Sequence, residues 1–170
     1  RVQEALPKQE ALSDLTDLHW HFIGRLQANK VRAVVKAFSW IHSIDSMALA
    51  ERSSRIALEE GRCPSVLFQV KLRSDPSKGG WDPQSLKEAW PVLRQLPGLK
   101  VSGLMTMAPL ELDSNERQGL FRDCRDLADE LDLSQCSMGM SGDWPQAAAA
   151  GATWVRVGSA LFGSRPPVIP

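Results

Sequence analysis

The chain has 170 residues, 43% of them hydrophobic, enough for one globular domain with its own core. Its 20 basic and 20 acidic side chains cancel and are spread along the chain, which excludes the electrostatic footprint of a nucleic-acid or anionic-membrane partner. No run approaches the ~20 apolar residues that span a bilayer, and RVQEALPKQE lacks the charged-then-apolar layout of a signal peptide, so the protein reads as cytoplasmic.

An opening helix carries Val2, Ala5, Leu6 and Leu12; WHFI at 20–23 then reads as a strand, NKVRAVVKAF as a helix and WIHSI at 40–44 as the next strand. Asp45 or Ser46 caps the helix MALAERSSRIALEEG, which stops at Gly61, and SVLFQVKL follows as a nearly continuous apolar strand. Asp82-Pro83 is a cap with a first-turn proline, and Leu86, Ala89, Trp90, Leu93 and Leu96 recur on one face of the helix it opens. LKVSGLMTM is a strand. Asp113 and Glu116 form a capping box before a helix whose apolar face is Leu120, Phe121, Cys124, Leu127, Ala128 and Leu131. QCSMGM, WPQAAAAG and TWVRVG end the series as strand, helix and strand.

Six strands joined by helical crossovers mean a parallel sheet, either open and doubly wound or closed as a barrel. A (β/α)8 barrel often holds phosphate in the loops after strands 7 and 8, which here would be the last two strands. Counting back makes WHFI strand 3, so the 170 residues read as one domain holding strands 3–8 of a TIM-type (β/α)8 barrel, with strand 1, its helix and strand 2 missing. A six-stranded remnant exposes two edges, which soluble proteins avoid, so the chain is expected to be the C-terminal part of a longer polypeptide.

Strand alternation puts Trp154, Arg156 and Gly158 on one face and Val155 and Val157 on the other. With the valines against outer helices, Arg156 points into the barrel, where its guanidinium needs a ligand atom or a carboxylate. Gly158-Ser159 follows at the strand's C-terminal end, where free N–H groups and a hydroxyl can receive a phosphate, and Met140-Ser141-Gly142 offers a similar set next door. Taken singly, each turn is explained by chain reversal or by Ser141 or Asp143 capping a helix; the pair beside an inward arginine points to a binding site.

Other candidates carry less. The cysteines Cys63, Cys124 and Cys136 are far apart and odd in number, which suits a reducing compartment, and all three are expected as buried thiols rather than disulfide or zinc ligands. His19 and His21 share a strand face, yet no third ligand is near in sequence, so a strand-end histidine with backbone partners is expected and no metal; His42 is more isolated still. Most of the six tryptophans, at 20, 40, 81, 90, 144 and 154, read as core or barrel-edge filler. Lys30 and Lys78 are expected in solvent, and Lys71 is the lysine best placed near a strand end.

WHFIGRLQANK at 20–30, SKGG at 77–80, GLMTMAP at 103–109, SMGMSGDWPQAAAAGATWVRVGSALFG at 137–163 and the opening VQEALPK resemble the pyridoxal-phosphate homeostasis proteins, the YggS/PROSC family, over essentially the whole chain. The resemblance implies a fold like the N-terminal barrel of bacterial alanine racemase, a monomer that binds pyridoxal 5′-phosphate (PLP), and no established catalytic reaction. Ser141, Gly158 and Ser159, with Met140 close by, match the family's phosphate cradle, and Arg156 matches the arginine facing the pyridine nitrogen. Nothing matches the family's Schiff-base lysine, which lies on strand 1 in a motif of the type AVSKTKP; an asparagine expected just before VQEALPK is missing too. Lys71 departs from the family, which usually has asparagine there.

A PLP-dependent racemase is the main rival. Its chemistry uses a tyrosine as second base, and the 170 residues contain none. A sugar-phosphate isomerase needs proton-transfer groups at several strand ends, where only Asp45 and Lys71 qualify among Gly24, Asp45, Lys71 and Met107. The native protein is accordingly expected to be heavier than the 18.8 kDa of these residues, and mass spectrometry giving that value would overturn the truncated-barrel reading.

Overall fold

The computed structural model describes residues 1–75 and 78–163, so Ser77 of the SKGG segment lies outside the described residues. Helix α1 (Val2–Ala11) precedes β1 (His21–Phe22), a 3-10 turn (Ala28–Lys30), α2 (Val31–Ala37), β2 (Trp40–Ile44) and α3 (Met47–Glu59). Strand β3 (Ser65–Gln69), α4 (Pro83–Leu93), β4 (Lys100–Met105), α5 (Ser114–Glu130), β5 (Gln135–Met140), α6 (Trp144–Ala149), β6 (Trp154–Arg156) and α7 (Ser159–Phe162) follow.

The helix starts are written in capping chemistry. Ser46, not Asp45, caps α3 by accepting from the Leu49 N–H. Asp82 accepts from the N–H groups of Gln84 and Ser85 at the start of α4, and Asp113 and Glu116 complete the reciprocal capping box of α5. The strands WHFI, SVLFQVKL, LKVSGLMTM and TWVRVG are shorter than their apolar runs, because ladder pairing stops where the chain turns into loops.

All six strands are parallel and lie in sequence order, β1 to β6. A doubly wound sheet reverses its order at a switch point, so unbroken order selects a barrel sector. Side-chain contacts confirm the curl: His42 on β2 reaches Ser137 on β5 at 2.9 Å, and the rings of His21 on β1 and Trp154 on β6 lie 4.8 Å apart. Trp40 stacks on His21 at 5.3 Å and lies 5.2 Å from Trp154, so these three rings plug the end of the barrel where the strands begin.

The larger core lies between sheet and helices. Val34, Val35, Ile41, Phe68, Leu86, Leu93, Leu104, Leu120 and Phe121 are fully buried there, each contributing roughly 1.5–3 kcal/mol of burial. Cys124 of α5 and Cys136 of β5 belong to it, but Cys63 is exposed, in the turn between α3 and β3, and is not the buried thiol expected. Trp81 is buried and donates from its indole N–H to the Ile44 carbonyl at 3.2 Å, whereas Trp144 at the start of α6 is exposed.

Two glycines set backbone distances. At Gly103 an added Cβ would sit 2.0 Å from the Gln135 carbonyl oxygen, so β4 can pair with β5 only without a side chain there. Gly139 has φ +88°, and its Cβ would meet the Ala147 Cβ at 2.5 Å, within the register shift between Ser137 and Met140 that joins β5 to β6. Gly103→Ala is expected to cost about 3 kcal/mol in urea unfolding, because backbone rather than a flexible side chain must yield; an unchanged midpoint would contradict that packing.

Candidate functional site

Arg156 ends β6 in register with Met140 of β5. Its side chain turns into the barrel, as alternation predicts, although Val155 on the opposite face is exposed rather than covered by an outer helix. Nη1 donates to Ser137 Oγ at 2.8 Å and Nη2 to the Thr106 carbonyl at 2.8 Å. Among the described residues no carboxylate comes within ion-pair distance, and Asp143 supports the charge through space. Burial pulls the guanidinium down to about 10, which leaves it charged at neutral pH. The expected ligand atom or carboxylate is thus replaced, on the protein side, by two neutral acceptors that engage two of the five N–H donors.

The two strand-end turns meet. Ser141 Oγ accepts from the Gly158 N–H at 3.1 Å and the Ala160 N–H at 3.3 Å, so these two amides converge on a single oxygen. Neither serine-turn residue serves as a simple cap: Ser141 faces the other turn, and Asp143 accepts from the Met140 N–H at 2.6 Å instead of capping α6 with its side chain. Met140 and Ser141 are half-buried, while Gly158, Ser159 and Ala160 are open to solvent. The amides that hold a hydroxyl oxygen can hold a phosphate oxygen equally well, and Arg156 lies two residues back along the same strand.

Three groups escaped the sequence reading. Thr106 supplies a carbonyl, Ser137 a hydroxyl, and His42, 2% exposed, bridges Ser137 at 2.9 Å and His21 Nδ1 at 2.9 Å. His21 therefore has a side-chain partner rather than a backbone one, and His42 is not isolated. Alternation along WIHSI could have flagged His42 as inward, but its partner stands 95 residues away. No cluster of metal ligands forms among the described residues.

The lysines divide differently from expectation. Lys71 is exposed and Lys30 half-buried, but Lys78 is tied down, with Nζ 3.0 Å from the Ala108 carbonyl and 3.2 Å from Asp75. A groove of about 840 Å³ between the loop after β1 and α3, lined by Arg25, Asp45, Ser46, Arg52 and Arg55 among others, shares no residue with the Arg156 site. No helix among the described residues is long and apolar enough to cross a membrane.

Comparison with known proteins places this barrel. A family model described as alanine racemase, N-terminal domain, matches residues 1–166. The pyridoxal phosphate homeostasis protein of Synechocystis sp. is 50% identical over 97% of this chain and 78% of its own length. The structure of PipY from Synechococcus elongatus PCC7942 with PLP bound superposes with a TM-score of 0.91 at 53% identity, covering 96% of this chain and 79% of that one. An alanine racemase of Clostridium difficile 630 shares the fold at a TM-score of 0.69 and 18% identity, over 86% of this chain and 40% of its own. The chain thus has the barrel of the alanine racemase N-terminal domain, and it belongs to the pyridoxal phosphate homeostasis protein family.

Burial, together with neighbouring His21 and Arg156, pushes the His42 imidazole down to about 3. A histidine held neutral in the fold stabilises it fully above the ordinary value near 6.5, and that contribution is lost as pH falls toward 3. From pH 7 to 5 His42 alone is expected to remove about 2 kcal/mol, at about 1.4 kcal/mol per pH unit. Urea midpoints against pH check this: His42→Asn should flatten the dependence, and an equally steep variant would refute the assignment.

Proposed function

We propose that this chain binds pyridoxal 5′-phosphate without turning it over, as a carrier in vitamin B6 and amino-acid homeostasis. The observation that carries the reading is Arg156: a half-buried guanidinium, met among the described residues by neutral acceptors alone, one strand end away from converging amides. Ser141, Gly158 and Ser159, with Met140 beside them, take the phosphate, and Arg156 takes the pyridine nitrogen. PLP bound there supplies an electrophilic aldehyde on an electron-withdrawing ring.

The chain's own residues decide how far that ring can be used. A guanidinium held at about 10 donates to the ring nitrogen without giving up its proton, so the nitrogen stays unprotonated and the ring is a weaker electron sink than with a carboxylic partner. The same residues hold the ligand at both ends, phosphate in the cradle and nitrogen at the arginine, which favours retention. The reading takes residues 1–170 as one PLP-binding barrel unit acting as a cytoplasmic monomer, with no nucleic-acid partner.

Equilibrium dialysis with PLP and with pyridoxal, which lacks the phosphate, separates the two halves of the site. Arg156→Ala should weaken both ligands at least tenfold, about 1.4 kcal/mol or more. Ser141→Ala should weaken PLP several-fold and leave pyridoxal unchanged. Equal binding of PLP by Arg156→Ala and the parent chain would remove the arginine from the site.

A further inference from the structure

Arg156 lies at one end of a file of four side chains from four different strands. Its guanidinium can only donate, so Ser137 Oγ accepts from Nη1 at 2.8 Å. Ser137 is fully buried, and its own proton needs an acceptor; His42 Nδ1 lies 2.9 Å away. An Nδ1 that accepts leaves the proton of the neutral ring on Nε2, and that nitrogen lies 2.9 Å from His21 Nδ1, which accepts in turn. A donor-only cation at one end thereby sets the direction of every bond: Arg156 to Ser137, Ser137 to His42, His42 to His21. The reverse order would send two donors to Ser137 and leave its buried hydroxyl proton without an acceptor in the file.

We propose that His42 is a positioning residue for Arg156. By drawing the Ser137 hydroxyl proton to Nδ1, it turns the serine lone pairs toward Nη1, and with the Thr106 carbonyl on Nη2 it holds the guanidinium in one orientation. The effect on ligand binding rests on the assignment of Arg156 to the ring nitrogen; the hydrogen-bond direction does not. Packing alone gives no reason for this residue type, since an apolar side chain fills a 2% exposed position as well as an imidazole does.

Two measurements on the full chain test this. Nitrogen-15 NMR of the unliganded protein at neutral pH should show His42 protonated at Nε2 and bare at Nδ1; a His42 protonated at Nδ1 overturns the proposal. Two variants then separate hydrogen bonding from filling: His42→Asn keeps an acceptor near the Nδ1 position, and His42→Leu removes it. Distinct Arg156 Nη signals should persist in His42→Asn and merge in His42→Leu, with PLP binding weakened less than twofold in the first and at least fivefold in the second. Equal behaviour of the two variants would reduce His42 to filler and overturn the proposal. Should the parent chain itself fail to bind PLP, the reading of the site falls, while the NMR signals still decide the role of His42.

Discussion

A half-buried cation, Arg156, organises the inside of this barrel. Taking a guanidinium out of water costs several kcal/mol, and the usual remedy is a carboxylate, which Arg156 does not have within contact distance among the described residues. Two hydrogen bonds to neutral oxygens and the more distant charge of Asp143 offset part of the cost. The residual demand explains why the neighbourhood is polar: Ser137 and His42 stand among buried side chains where a barrel interior is ordinarily filled by valine, isoleucine and leucine. Burial is the main reason His42 stays neutral, with His21 next, and the positive charge of Arg156 one serine away adds to both.

The strand geometry that serves this cation is specified by backbone features remote from it in chemistry. Gly103 lets β4 approach β5 at a distance no side chain permits, which sets Ser137 of β5 opposite Met105 and beside Thr106 at the end of β4. Gly139, at positive φ, absorbs the register shift that brings Met140 opposite Arg156. Outside the sheet, the apolar layer under α2 to α5 supplies most of the stability, so the interior can tolerate polar groups that would be costly in a smaller core. Apolar packing and polar chemistry are thus divided between the two faces of one sheet.

Local chemistry was legible in the chain and distant pairing was not. The caps at Asp82 and Asp113, the parallel βα alternation and the inward turn of Arg156 all follow from spacings of two to four residues, and the structure has each of them. The meeting of Ser141 with Gly158 could be inferred because they end adjacent strands. His42 could not be matched with Ser137, because β2 and β5 touch only through the curl of the sheet, a property of the whole barrel and of no local pattern. Cys63 and Lys78 failed for the opposite reason: helix and strand patterns say little about a turn or a loop, where one sulfur is left exposed and one ammonium is tied to a carbonyl.

The proton inventory around Arg156 bears on what such a site can do. A residue that exchanges protons at neutral pH needs a pKa near 7 and a free lone pair or proton facing the ligand. Arg156 at about 10 keeps its proton, and His42 at about 3, with both ring nitrogens already engaged, is too weak a base to take one. His21 is also lowered, mainly by burial and secondarily by His19, and its Nδ1 faces His42 at the plugged end of the barrel, away from the strand ends where Ser141 meets Gly158. The groups that contact the arginine are therefore suited to fixing a hydrogen-bond pattern and poorly suited to moving protons. On the proposed reading, a ligand held by its phosphate and ring nitrogen in such surroundings would gain orientation and residence time, which a carrier of a reactive aldehyde requires and which a racemase would have to supplement with a base from elsewhere.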